Sequence, residues 1–121
     1  MSSQRGSVSI LVAASVAMTL ILVMGVADVA RALIARSRAE AVADLAALAA
    51  TQELALPSGI EPGAIAADYA ARNGAAMVSC SCPEGSLEAI VTVAVHVDGF
   101  LLPIAGRDVV ARSRAIVDVP T

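Results

Sequence analysis

Val8 to Ala27 read VSILVAASVAMTLILVMGVA, a stretch without a single charged side chain. Because a helix rises about 1.5 Å per residue, this stretch would span roughly 30 Å, the thickness of the hydrocarbon layer of a bilayer. It stands near the start of a chain of 121 residues. We therefore predict a transmembrane helix over 8–27, and the remaining chain should be something that such a helix can carry.

Three interpretations of this segment are open. The first is a cleaved secretory signal, with Arg5 as its basic region and Gly25 to Ala27 as its cleavage site, although the apolar run is longer than signal peptides usually have. The second is a permanent signal anchor. The third is a prepilin-type segment, in which a leader is cut between Gly6 and Ser7 and the helix serves as both membrane anchor and filament core. The length of the run favours the second and third.

Composition argues against several classes of partner. Aromatic residues make up 2% of the chain, the net charge is −3, and all eight basic residues are arginine. Single-stranded nucleic acids are bound by aromatic stacking in a positively charged groove, and this chain has little of either. We therefore expect membrane lipid and other protein subunits as partners, and no nucleic acid.

The helical pattern continues past the membrane edge. No proline or glycine occurs from Asp28 to Leu54, so a single helix of roughly 70 Å could run from Val8 to Leu54. Side chains at helical spacing predict one narrow apolar face on this stalk, and Asp44 lies among them; the residues of the face are Val42, Leu45, Leu48 and Ala49. This face either packs on the protein's own domain, which we favour, or contacts other subunits.

A second, shorter helix should follow a turn. Pro57 and Gly59 end the first helix, Pro62 is suited to the first position of a helix, and Gly74 to its end. Tyr69, the single tyrosine, should be a half-buried ring packed on a sheet.

The last part of the chain alternates with a period of two. Leu87 to Asp98 and Val109 to Asp118 each place apolar residues at odd positions, and Met77 to Cys82 is a shorter candidate. We predict an α+β fold in which a three-stranded antiparallel sheet covers one side of the long helix.

Nothing in the sequence resembles a catalytic constellation, so we predict a protein that is not an enzyme. The single histidine, His96, falls on the polar side of its strand and should be a surface group. One histidine and two cysteines do not make a common zinc site, and neither a phosphate-binding loop nor a nucleophile elbow is present. We expect no metal, no cofactor and no small-molecule substrate.

Cys80 and Cys82 leave three alternatives open. They are either two buried free thiols, or two cysteines joined to each other by a disulfide, or cysteines that form disulfides with another chain. A bond between residues two apart closes a very small ring and requires a bent backbone. Oxidation is permitted if the domain is exported.

An apolar stretch joins the last two predicted strands. Residues 99–106 read GFLLPIAG, which is unusual because connecting segments are normally polar. It either folds back over the core or exposes a patch to a partner subunit or to the bilayer surface. The patch would consist of Phe100, Leu101, Leu102 and Ile104.

Two stretches resemble TadE/TadG-like proteins of tight-adherence (Flp-type) pilus systems, and most closely the short actinobacterial TadE-like type. The first is Arg5-Gly6 followed by the apolar helix. The second, residues 38–50, reads RAEAVADLAALAA and resembles the family's R-x-x-x-A-A-D-x-A-A-L-A-A stretch, with Asp44 as its acidic residue. The resemblance implies a pilin-like fold and pilin-like or secretion-system subunits as partners.

One position departs from the pattern of pilins. Processed pilins usually carry glutamate five residues into the mature helix, and cleavage after Gly6 would place Leu11 there. The resemblance therefore implies a minor pilin-like or pseudopilin-like membrane component of a Tad pilus or related secretion apparatus. The alternative is a bitopic accessory subunit that stabilises another membrane complex without entering a filament.

These inferences give the expected organisation of the chain. Residues 1–7 form a short basic leader or cytoplasmic tail, 8–27 the transmembrane helix, 28–56 the helical stalk, and 57–121 a small α+β domain. Arginines flank both ends of the apolar segment, so charge does not settle its orientation. We expect a single-pass protein of the cytoplasmic membrane, or of a surface pilus, with its C-terminal domain extracytoplasmic.

Overall fold

One helix dominates the molecule. The computed structural model describes residues 2–99, 101 and 107–120, and in it helix α1 runs without interruption over Ser2–Ala55. Its 54 residues correspond to about 80 Å. Alanine-rich sequence without proline favours such a helix, and Pro57 follows just after its end. The long N-terminal helix expected from the sequence is confirmed.

Helix α2, Pro62–Arg72, packs on the C-terminal half of α1, called its upper half below. Proline occupies its first turn, and Gly74 adopts a φ of 74° directly after the capping residue Asn73. Its buried residues are Ala66 and Ala70, whereas Tyr69 is 46% exposed. The Tyr69 ring is thus about half exposed, and its packing on the sheet stays a prediction.

The three strands form an antiparallel meander in the order β1-β2-β3. They span Ala76–Ser81, Glu88–Val97 and Arg107–Ile116. Strands β2 and β3 pair along their whole length, from Glu88 opposite Ile116 to Val97 opposite Arg107. The β1–β2 pairing contains an irregularity between Met77 and Ser79. The α+β fold with a three-stranded antiparallel sheet is confirmed.

Small residues make up the core between this sheet and the helices. Alternate residues of β2 point towards α1, as the period of two predicts, and Val91 and Val93 are fully buried. No fully buried side chain among the described residues is larger than these valines. The helix contributes alanines to the same cluster, which are Ala39, Ala43, Ala46, Ala47 and Ala50. The sheet and α1 can therefore approach each other closely.

Candidate membrane anchor and assembly surface

The N-terminal half of α1, called its lower half below, has apolar side chains exposed on every side. Ile10 is 72% exposed and Leu22 is 61% exposed, and no residue from 8 to 23 is even partly buried. Within the part of the chain that is described, α1 is the one helix long and apolar enough to cross a membrane, with a mean hydropathy of 2.6 over its most apolar window. Water is an unfavourable solvent for this surface, so lipid or neighbouring subunits should cover it.

Two polar side chains within the apolar segment are satisfied by the helix itself. The Ser15 hydroxyl donates a hydrogen bond to the carbonyl of Leu11, and the Thr19 hydroxyl donates to the carbonyl of Ser15, each at 2.9 Å. In hydrocarbon such groups have no water to bond, and back-bonding to the preceding turn removes this cost. Gly6 and Ser7, the residues at the predicted cleavage point, lie within the first turns of α1.

The first two charges after the apolar segment face the β2–β3 connection. Asp28 is 5% exposed, and its carboxylate accepts a hydrogen bond of 2.8 Å from the backbone N–H of Leu101. The Arg31 guanidinium donates to the carbonyl of Gly99 and lies 3.9 Å from the Asp28 carboxylate. Sequence analysis missed this pair. The position of Asp28 in the sequence could have indicated it, because an unpaired carboxylate directly after twenty uncharged residues would be costly at the edge of a membrane.

The predicted stalk face is divided by the structure. Val42 is 4% exposed and belongs to the core, whereas Leu45 and Leu48 are 46% and 58% exposed on the side of α1 away from the sheet. Asp44 lies at the margin of the packed side, where its carboxylate accepts a hydrogen bond from the Ser113 hydroxyl of β3. Alanine side chains therefore form the packed contact between α1 and its own domain, and the two leucines remain accessible to other molecules.

Near the C-terminal end of α1, Glu53 accepts hydrogen bonds from the turn that follows the helix. This residue is 8% exposed, and its carboxylate accepts hydrogen bonds from the backbone N–H of Ser58 at 2.5 Å and from the Ser58 hydroxyl at 2.8 Å. The N–H of Ile60 adds a longer bond of 3.4 Å. These donors, with the Ser58 N–H first, lower the pKa of Glu53 below its ordinary value because they stabilise the charged form. The carboxylate thereby fixes the turn between α1 and α2.

The two cysteines lie at the end of β1 next to α2. In the structure Cys80 and Cys82 are joined by a disulfide, the second of the three alternatives left open above. Both are partly buried against the core cluster, and a Cβ atom at Gly63 in α2 would lie 3.8 Å from the Cβ of Cys80. Glycine at this position therefore lets the start of α2 rest against the cysteine pair.

His96 stands on the exposed face of the sheet between two carboxylates. Its Nδ1 lies 2.6 Å from Asp108, which is opposite it on β3, and its Nε2 lies 2.9 Å from Asp98. The bond to Asp108, followed by the charge of Asp98, raises the pKa of His96 above its ordinary value. The surface position was predicted correctly, but the pairing with Asp108 depends on strand register, which single-strand periodicity does not give.

The remaining cavities are shallow clefts. One of them, about 500 Å³ in volume, lies at the far end of the domain and is lined by Glu53, Glu61, Glu84 and the turn residues around them. Among residues 6–99, 101 and 107–120, no three histidine, cysteine or carboxylate groups are arranged to hold a metal ion. Of the predicted patch between β2 and β3, Leu101 is 49% exposed, whereas Phe100, Leu102 and Ile104 lie outside the described residues.

Comparison with known proteins agrees with this architecture. Residues 6–53, which cover the apolar segment and the alanine-rich stalk, match the model of the Tad family, described as Flp pilus-assembly TadE/G-like. No curated protein and no solved structure shows significant similarity to the chain. The matched family is structural and is not one of enzymes. The TadE-like assignment made from the sequence is thus supported over residues 6–53, where the chain is similar to TadE/G-like components of Flp pilus assembly.

Proposed function

We propose that this protein is a minor pilin-like, or pseudopilin-like, membrane-anchored component of a Tad (Flp-type) pilus or related secretion apparatus. In this role α1 holds the protein in the cytoplasmic membrane as a single-pass anchor. The small α+β domain lies on the extracytoplasmic side. Its partners are other pilin-like or secretion-system subunits, and its role is structural.

The observation that carries the proposal is the continuity of α1. One helix is exposed and apolar over its first half and is covered by a sheet over its second half. A protein built in this way can leave the bilayer and enter a helical assembly without refolding, because its apolar half exchanges lipid for neighbouring helices. The exposed Leu45 and Leu48 extend this contact surface into the domain.

Determining the mature N-terminus tests the proposal most directly. Intact mass should be measured for the protein from membranes and from sheared surface material. We expect a chain that begins at Ser7, present in membranes and in small amount in the sheared fraction. A chain that begins at Met1 or Ser2 and occurs in membranes alone would contradict the pilin-like role.

Two glycines provide a matched pair of variants for this experiment. A Cβ at Gly6 or at Gly25 would meet no other atom within 4 Å. Neither substitution should therefore disturb the fold. Gly6→Leu changes the residue directly before the proposed cleavage point, so it should block cleavage and abolish release into the sheared fraction. Gly25→Leu should leave both unchanged. Equal behaviour of the two variants would argue against processing at residues 6–7.

A second candidate function is supported by Leu11. A bitopic accessory subunit, which stabilises another membrane complex without filament incorporation, needs no acidic residue early in its helix, and none occurs before Asp28. The content of sheared surface appendages distinguishes the two functions. The pilin-like component should occur in them and should also co-purify in mild detergent with a secretion ATPase or its membrane platform, whereas an accessory subunit should be absent from the appendages.

A further inference from the structure

We infer that Leu101, in the connection between β2 and β3, lies in the headgroup layer of the same bilayer that α1 spans, and that Asp28 and Arg31 position it there. The inference rests on the membrane anchoring proposed above. It adds a second contact between protein and lipid and fixes the height of the domain above the membrane.

The apolar surface of α1 does not end at Ala27. On the side away from the domain it continues through exposed side chains, with Val29, Leu33 and Ile34 each at least 60% exposed. Between residues 6 and 35 the only charged side chains are Asp28 and Arg31. A bilayer could thus surround α1 some way past Ala27 if these two charges were shielded from lipid.

The hairpin provides that shielding. The Asp28 side chain is only 7% exposed and accepts a bond from the backbone N–H of Leu101, while Arg31 donates to the carbonyl of Gly99. A carboxylate at the edge of a membrane is tolerated when it is paired and hydrogen-bonded. Asp28 is therefore enclosed against the hairpin, whereas Arg31, whose side chain is 44% exposed, bonds to Gly99 and keeps part of its length accessible to lipid headgroups.

The height of these contacts places the hairpin in the headgroup layer. This layer extends about 5–7 Å beyond the hydrocarbon on each side, which corresponds to about four residues of helix. Asp28 is the first residue after the predicted membrane segment and Arg31 the fourth. Leu101, held at the level of Asp28, must lie within that layer.

Exposure of Leu101 decides in favour of lipid as the occupant. The residue is 49% exposed at a height where α1 also presents Val29 and Leu33 to its surroundings. An apolar side chain that enters the interfacial region gains free energy in proportion to the area it removes from water. The surface is therefore continuous with the lipid-facing surface of the anchor, which no separate partner is needed to cover.

Tryptophan fluorescence tests this placement cleanly because the chain contains no tryptophan. Three full-length single-tryptophan variants are reconstituted into phosphatidylcholine vesicles whose acyl chains carry bromine near the headgroup. Leu22→Trp reports the part of the anchor about 8 Å below Ala27, within reach of the bromine, and Leu101→Trp reports the hairpin. Ile116→Trp is the matched control, since Ile116 is 59% exposed at the opposite end of the same hairpin.

The expected result is quenching of Leu101→Trp by the brominated lipid, with an emission maximum shifted to the blue, and no quenching of Ile116→Trp. If Leu22→Trp is quenched and Leu101→Trp behaves like Ile116→Trp, the hairpin placement is wrong while the anchor stands. If Leu22→Trp is not quenched, membrane anchoring itself fails. A blue shift of Leu101→Trp without quenching would indicate a protein subunit as the occupant and would also overturn the inference.

The positioning role of Asp28 needs a separate variant. In the Leu101→Trp protein, Asp28→Ala should weaken the quenching, because the N–H of Leu101 loses its acceptor and the hairpin is released from α1. Asp44→Ala is the matched control, since Asp44 also accepts a hydrogen bond from the hairpin, through Ser113, but further from the membrane. Equal quenching in both variants, with unchanged circular dichroism, would exclude positioning by Asp28.

Discussion

The two halves of α1 place large and small side chains in opposite ways. In the lower half leucine, isoleucine and valine are exposed on all sides, and Leu22 is 61% exposed. In the upper half the helix turns alanines towards the sheet, and Ala43 and Ala46 are completely buried. In a water-soluble domain the large apolar residues would be the buried ones.

This difference indicates that the two halves have different surroundings. A bilayer would accommodate bulky side chains without a fixed shape, so side-chain size would be unrestricted in the lower half. A sheet is a fixed surface, and close packing against it requires small side chains. Leu45 and Leu48 belong to the upper half but are large, apolar and exposed, as the side chains of the lower half are.

The largest expected effect contrasts Leu22 with Leu48, which are exposed to nearly the same extent, 61% and 58%. Leu22→Arg should make membrane insertion less favourable by up to about 3–4 kcal/mol, which is the cost of replacing leucine by arginine at the centre of a membrane helix. Leu48→Arg should leave insertion unchanged. A glycosylation-reporter insertion assay measures both, and equal values would mean that the two halves share one environment.

The next effect concerns packing within the upper half. Ala46→Leu should lower the free energy of unfolding of the domain by about 1–3 kcal/mol, because a larger side chain cannot fit between α1 and the sheet. Leu45→Ala, one residue away on the exposed side, should change it by less than about 0.5 kcal/mol. Urea denaturation in mild detergent, followed by circular dichroism, gives both values. A larger loss in Leu45→Ala would show that the exposed face is packed in the native assembly.

A smaller effect is expected at the far end of α1. Because the pKa of Glu53 is lowered on folding, its contribution to stability is present above the ordinary value of 4.5 and is lost as the pH falls through the lower folded value. Glu53→Gln should therefore be less stable than the native protein at neutral pH, with the difference vanishing in acid.

Thermal unfolding of both proteins across the acid range measures this. Glu40→Gln is the control, since it removes an exposed carboxylate on the same helix whose bond to Arg36 is a surface pair of little energetic value. A stability difference for Glu53→Gln that is independent of pH would contradict a role for its charge.

The smallest effect is expected at His96, on the solvent face of the sheet. Its raised pKa means that the contribution of the charged form is fully present below the ordinary value of 6.5 and is lost as the pH rises through the higher folded value. His96→Gln should destabilise the domain slightly at mildly acidic pH and not at all in alkali. Titration of the imidazole protons by NMR checks the direction independently, and a lowered pKa would refute the pairing with Asp98 and Asp108.

Periodicity was sufficient to predict the elements of this fold. The uncharged run 8–27 and the absence of proline up to Pro57 gave the long helix, and alternation in Leu87 to Asp98 gave the central strand and the face it buries. Both patterns follow from local geometry, in which every helical turn or every second strand residue meets the same surroundings.

Contacts between distant residues could not be predicted in this way. Sequence analysis chose the bulky residues Leu45 and Leu48 for the packed face of the stalk, because hydrophobicity scales rank leucine above alanine, whereas the sheet selects for size. The bonds from Asp28 to Leu101 and from Glu53 to Ser58 join a helix to loops whose paths a periodic pattern does not describe. The domain boundaries, the cleavage point and the partner surface stay predictions.

The uninterrupted course of α1 has a mechanical consequence. Over Ser2–Ala55 the helix contains no proline; Glu53 near its end is bonded to the turn that leads to α2, and Asp28 near its middle is bonded to the connection between β2 and β3. No proline hinge separates the exposed apolar half of this helix from the half that carries the domain. A force that draws the helix along its axis must therefore displace the sheet by the same distance, so the molecule transmits axial motion as a rigid rod.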